Sequence, residues 1–223
     1  MPPTGLAILI GAGPATGAGI ARILAHPSHG NLAVALLARR PDALHDLATD
    51  LRATTPDGVF ETFATDTSPA RLRQAFADIQ AHRSFRDLKL RLAIYSIKNS
   101  AKKPFLDETF EDFMAPLETR KGTILFTGTL GALRCNAEFG SYGASRASVR
   151  QLAQALAREY SAKGIHVAHA IANGRITDAD NEDTRRGKHI AAEAVGKTYL
   201  WLHEQHPTLW THELDLRPAQ EKF

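Results

Sequence analysis

The feature that most constrains this chain is its first nineteen residues. An apolar run, Leu6–Ile10, passes directly into Gly11-Ala12-Gly13-Pro14-Ala15-Thr16-Gly17-Ala18-Gly19, and a helical pattern follows over Gly17–Ala25. A short apolar run closed by glycines has the length of a strand rather than of a helix. Glycines let the backbone turn tightly and let a ligand approach it closely. The helix that follows offers free N–H groups and a positive dipole end. A glycine run alone is only a turn. Between a strand and a helix at the start of a βαβ unit, it is the arrangement that binds the pyrophosphate of a dinucleotide.

The rest of the chain keeps this alternation. Strands are expected at Leu32–Leu37, Val59–Ala64, Leu90–Ser96, Thr123–Thr127, Ile165–Ala172 and Glu213–Leu216. Helices are expected at Pro41–Leu51, from a Ser68 cap to Ala81, at Ser145–Tyr160 and at Ile190–His203. The pattern predicts an α/β, doubly wound Rossmann fold with a parallel sheet of about seven strands. Residues 1–223 are expected to form one domain, a size that sustains a core without staples.

Charge and cysteine usage narrow the partners. Lys and Arg number 27 against 24 Asp and Glu, a net +3, with the two signs interspersed. No basic stripe with interleaved aromatics points to nucleic acid. No apolar run approaches the roughly 18 residues that span a bilayer, and Leu6–Ile10 is too short for a signal peptide. The single Cys135 forms no internal disulfide. A cytoplasmic protein acting on a small molecule is expected. His26/His29, His166/His169 and His203/His206 each have spacing three. No third ligand joins them, so no metal is expected and surface positions account for them. On a strand, spacing three sends His166 and His169 to opposite faces.

Strand two ends at Ala38-Arg39-Arg40. A carboxylate here would hold a ribose 2′-hydroxyl, whereas arginine accommodates the 2′-phosphate of NADP. The expected cofactor is therefore NADP(H).

With these features in place, the chain resembles the short-chain dehydrogenase/reductase family along nearly its whole length. Gly13-x-x-x-Gly17-x-Gly19 is similar to the family's glycine motif, and Asp66-Thr67 stands where the family contacts adenine. Tyr142-Gly-Ala-Ser-Arg146 resembles its Tyr-x-x-x-Lys, and Thr129 lies at its catalytic Ser. Ala172-Asn173-Gly174 sits at its Pro-Gly turn, and Trp210–Pro218 resembles a group of bacterial and fungal members. The resemblance implies hydride transfer at a carbonyl or alcohol carbon, with Tyr142, Thr129 and Arg146 as the catalytic set. It implies cofactor contacts from Gly11, Gly13, Ala15, Thr16, Gly17, Gly19, Arg39, Arg40, Asp66, Thr67, Ser96, Tyr142, Arg146, Gly174 and Ile176.

The departures from the family are equally specific. Arg146 replaces a lysine, Thr129 a serine, and Tyr95-Ser96-Ile97-Lys98 an Asn-Asn-Ala-Gly. An arginine supplies the charge a tyrosinate needs but does not release a proton at neutral pH. The segment between strands four and five is short by about one long helix, the one that carries the family's catalytic Asn. Only a short helix over Asp107–Met114 is expected there. In the family that helix also pairs in the dimer. An impaired dimer contact and an exposed apolar patch near Val149, Leu152 and Leu156 are therefore expected. The alternative is a non-catalytic NADP-binding regulatory or scaffold protein, or an incomplete gene product. The polar loop Asp178–Gly187 is expected over the substrate pocket.

Overall fold

The computed structural model describes residues 2–66, 68–97 and 122–221. In chain order it contains β1 (Leu6–Ile10), α1 (Thr16–Ala25), β2 (Ala33–Ala38), α2 (Pro41–Thr54), β3 (Phe60–Ala64), α3 (Pro69–Ala81) and β4 (Leu90–Tyr95). After the undescribed segment come β5 (Thr123–Gly128), α4 (Gly140–Tyr160), β6 (His166–Ala172), β7 (Ile176–Thr177), α5 (Glu182–Arg185), β8 (Ile190–Ala191), α6 (Ala192–Glu204) and β9 (Glu213–Leu216). Seven strands form one sheet in the order β3-β2-β1-β4-β5-β6-β9, every neighbouring pair parallel. The order reverses between β1 and β4, which opens a crevice at their carboxyl ends.

Helices cover both faces, so the central strands are continuously apolar. β1 and β6 are buried along their whole length. On one face α1 and α6 pack over Leu9, Leu36, Ile94 and Ala170. On the other, Val149, Ala153, Leu156 and Tyr160 of α4 cover Ile124, Phe126 and Val167. Near α3, Leu72, Phe76 and Ile79 close the sheet over Ile8, Ile10 and Leu37.

Helices α1 and α6 approach unusually closely. A Cβ on Gly19 would lie 2.3 Å from the Ala192 carbonyl carbon, and one on Gly196 would lie 2.7 Å from the Gly19 oxygen. The missing side chains let the two backbones meet, and α1 is buried nearly all round.

The expected strands are present to within a residue or so at each end, and four differences carry physical reasons. Helix α4 starts at Gly140 rather than Ser145, because the Gly143 amide already bonds to the Phe139 carbonyl at 2.8 Å. The weak helix formers Gly140 and Gly143 hide this first turn from a propensity reading. The last helix starts at Ala192 because Ile190–Ala191 pairs with Ile176–Thr177. Ser68 occupies the N-cap position of α3 but makes no capping bond. Its hydroxyl donates instead to Asp66 Oδ1 at 2.6 Å. Finally, there is no exposed apolar patch on α4: Val149 and Leu156 are buried and Leu152 is half-buried against the sheet. The helical register turns this stripe inward and leaves Ala144, Ser145, Ser148, Gln151 and Ala155 outside.

The histidines also differ from expectation. His166 and His169 are buried, not on the surface. They do face opposite sides of β6: His166 bonds to the Leu202 carbonyl of α6, while His169 turns toward the α4 side. The short helix expected at Asp107–Met114 and the cofactor contact expected at Thr67 lie outside the described residues. Among the described residues, no helix is long and apolar enough to cross a membrane.

Candidate active site

The carboxyl ends of β1, β2, β4, β5 and β6 bring most of the expected residues to one edge of the sheet. The glycine loop leaves β1 through Gly11, whose φ of +93° suits glycine and whose Cβ would lie 2.3 Å from the Ser96 oxygen. Ser96 follows β4 and donates its amide to the Ile10 carbonyl at 2.8 Å, so the two strand ends are stitched together. Gly17 packs on the Ala12 backbone, a Cβ there lying 2.9 Å from the Ala12 Cα.

Gly13 is different. A Cβ there would meet nothing within 4 Å, so the fold itself gives no reason for glycine at this position. It lies in the loop immediately before α1, whose N-cap residue Ala15 supplies no side-chain cap to the first turn. An open glycine before an uncapped helix start is a cradle in which a phosphate can approach the backbone. Thr16 begins α1. Gly19 is not at the loop surface: its missing side chain serves the packing against Ala192.

Arg39 and Arg40 are exposed at the end of β2. Asp66 is exposed after β3, where Oδ1 accepts the amide of Ser68 at 2.9 Å as well as its hydroxyl. These bonds, with Arg71 nearby, hold the Asp66 carboxyl below its ordinary value. Gly174, at φ +135°, packs against Pro218 after β6, and Ile176 lies in the small β7–β8 pair.

The three residues expected to do chemistry come together. Thr129 directly follows β5, and Tyr142 stands in the first turn of α4. Thr129 Oγ1 and the Tyr142 hydroxyl are 2.9 Å apart, a direct hydrogen bond. Arg146 lies one turn further along α4, with its guanidinium 5.2 Å from the centre of the Tyr142 ring. It is buried, and Nη1 donates to the Ile97 carbonyl at 3.2 Å. Gly131 makes room for the tyrosine, since a Cβ there would lie 2.7 Å from Tyr142 Cε1. The exposed Phe139 meets the Tyr142 ring edge-on at 6.4 Å, and exposed Leu133 lies on the same connection between β5 and α4.

The loop after β6 is held by charge and by the C-terminal segment. Asp180 pairs with Arg185, Asp183 with Lys188, and Arg22 of α1 grips Asp178 at 2.8 Å. Gln220 donates its amide to the Gly187 carbonyl at 2.9 Å, and Pro218 and Ala219 pack on Gly174 and Gly187. The acidic residues of this loop are thus bound by the loop's own cations and, at Asp178, by Arg22 of α1.

Sequence reasoning misses three neighbours of this site: Arg150, His169 and Glu213. Arg150 forms two bonds with Glu213 at 2.6 and 2.7 Å, and His169 Nδ1 lies 3.0 Å from the same carboxylate. Arg150 and His169 together bring the Glu213 carboxyl down to about 2, while burial lowers His169. The Glu213 partners lie 63 and 44 residues away in sequence, and no local spacing signals them.

Residues 112–205 match a family model described as enoyl-(acyl carrier protein) reductase. Among solved structures, a short-chain dehydrogenase from Rhodopseudomonas palustris is 24% identical with a TM-score of 0.76, the match covering 98% of this chain and 100% of that one. An NADPH-bound short-chain oxidoreductase from Pseudomonas aeruginosa, containing an atypical catalytic centre, is 15% identical with a TM-score of 0.77 over 98% and 97% of the two chains. L-sorbose reductase from Gluconobacter frateurii, complexed with NADPH and L-sorbose, is 15% identical with a TM-score of 0.73 and the same coverage. No curated protein sequence matches the chain.

Proposed function

We propose that the chain, whose fold is that of the short-chain dehydrogenase and oxidoreductase structures it resembles, is an NADP(H)-dependent oxidoreductase of the short-chain dehydrogenase/reductase family. It moves a hydride between the nicotinamide and a carbonyl or alcohol carbon of a small substrate. The observation that carries this reading is the Thr129–Tyr142 hydrogen bond with Arg146 beside the tyrosine ring, at the carboxyl edge of the sheet.

The residues present fit the cofactor. Gly13 and the uncapped start of α1 would receive the pyrophosphate, with Gly11, Ala15, Thr16 and Gly17 shaping the loop. Arg39, with Arg40 beside it, would hold the 2′-phosphate. Asp66 would hold the adenine, and Ser96, Gly174 and Ile176 would border the remainder of the cofactor. When bound, NADPH supplies the hydride.

The chain's own groups handle the proton. The Tyr142 hydroxyl gives its proton to the carbonyl oxygen of the substrate, and Thr129 Oγ1 holds that oxygen by a second hydrogen bond. Arg146 stabilises the negative charge that then develops on the phenol oxygen. It does not relay a proton onward, so Tyr142 is recharged from solvent rather than through the residue at position 146.

The test is oxidation of NADPH by the purified protein across a panel of aldehydes and ketones. Turnover is expected, and it should fall about 10²–10⁴-fold in Tyr142→Phe while NADPH affinity stays within about twofold. Activity retained in Tyr142→Phe would overturn the assignment. Tight NADPH binding with no turnover on any substrate would favour the non-catalytic reading.

A further inference from the structure

Behind the Thr129–Tyr142 pair lies a polar cluster that the proposed reaction does not touch. Tyr142, Arg146 and Arg150 occupy successive turns of one face of α4. Arg150 stands about 12 Å along the helix from Tyr142. Its Nε and Nη2 donate to the two oxygens of Glu213 on β9, and Glu213 Oε2 also accepts from Nδ1 of His169 on β6. That last bond places the imidazole proton on Nδ1 and leaves Nε2 with its lone pair. His169 is fully buried, and among the described residues Nε2 has no hydrogen-bond partner. It faces Gly128, where a Cβ would lie only 2.1 Å away. Gly128 is the last residue of β5, and Thr129 follows it.

Only His169 is fully buried, while Arg150 and Glu213 are half-buried, so the ion pair by itself adds little stability. What the cluster adds is a single geometry. A bidentate guanidinium–carboxylate pair fixes both the rotation and the height of the helix that carries it. We propose that Arg150, Glu213 and His169 form a positioning network for the catalytic pair. Glu213 locks α4, and with it Tyr142, through Arg150. Through His169 it seats Gly128, and with it Thr129. The role rests on the reading of Thr129 and Tyr142 as the proton-handling pair, but its structural half is measurable without turnover.

The experiment follows the Cζ resonance of ¹³C-labelled tyrosine, assigned to Tyr142 by its loss in Tyr142→Phe. It is measured in Arg150→Met, Arg150→Lys and Glu213→Gln, alongside kcat, KM and NADPH affinity. Arg150→Met and Glu213→Gln are expected to shift the Tyr142 resonance. They should also lower kcat at least about tenfold with KM and NADPH affinity little changed, since small misplacements near reacting groups are costly. Arg150→Lys keeps one ionic contact and should restore part of both. An unmoved resonance and unchanged kcat, with only a lowered unfolding temperature, would overturn the proposal and leave a purely structural cluster. If Arg150→Met does not fold, the nearly isosteric Glu213→Gln decides the matter on the same readouts. If the parent protein reduces no carbonyl, the proposed function fails, while the Tyr142 resonance still supports or overturns the positioning role.

Discussion

Gly128 and His169 meet across adjacent strands so closely that no side chain fits between them. A Cβ on Gly128 would lie 2.1 Å from His169 Nε2 and 2.7 Å from Cε1. The ring has nowhere to retreat, because it is wholly buried and its other nitrogen is held by Glu213. Gly128→Ala is therefore expected to destabilise the fold by about 1–3 kcal/mol, the usual cost of overpacking a filled core. Denaturant unfolding measures it. An unchanged midpoint would mean that the end of β5 yields freely.

The glycines of the first loop divide into two kinds, and one pair of substitutions separates them. Gly13→Ala adds a Cβ to open space, so folded stability should be unchanged or slightly raised. Cofactor affinity should drop, because the added methyl stands where the phosphate approaches. Gly19→Ala pushes a Cβ into the Ala192 backbone, 2.3–2.5 Å away, so it should lower the unfolding temperature first. Thermal melts with and without NADPH distinguish the two. Equal behaviour of the two variants would contradict the division.

Arg39→Asp should remove or invert the preference for NADPH over NADH. A carboxylate repels a 2′-phosphate and accepts a hydrogen bond from a 2′-hydroxyl. Fluorescence titration of both cofactors reads the ratio. A ratio indifferent to the substitution would move the phosphate contact elsewhere, with Arg40 the next residue to change.

Acid should unfold the protein in two stages. Burial lowers His169 and His203 below their ordinary value of 6.5, so both are neutral in the folded state. Their contribution to stability is complete above about pH 6.5 and is lost as the pH falls from there through their folded values. Glu213, brought down from 4.5 to about 2, adds stability that is present above about pH 4.5 and lost between that pH and about 2. Unfolding temperatures measured from pH 8 downward should begin to fall below about pH 6.5 and steepen below about 4.5. A flat profile between pH 7 and 5 would contradict the buried neutral histidines.

The sequence by itself determined the strands, their parallel arrangement and the place of the glycine loop, because these depend on local apolar runs and on turns only glycine makes easily. Thr129, Tyr142 and Arg146 came into view through the resemblance to the short-chain dehydrogenase/reductases, since no periodicity or spacing alone singles them out. Packing partners were decided elsewhere. Val149 and Leu156, expected at an exposed patch, turn inward because the sheet supplies the surface they cover. His169, expected outside, is buried because β6 lies between β5 and β9 and α4 closes over it. Gly19 falls within the cofactor motif, yet it is the Ala192 backbone that fills the space a side chain would need. The Arg150–Glu213–His169 cluster joins a helix and two strands remote in sequence, and only the parallel pairing of β6 with β9 brings its members together. Local periodicity records which face of an element is apolar. What that face meets is set by non-local closure of the sheet, and that was decided by the tertiary structure alone.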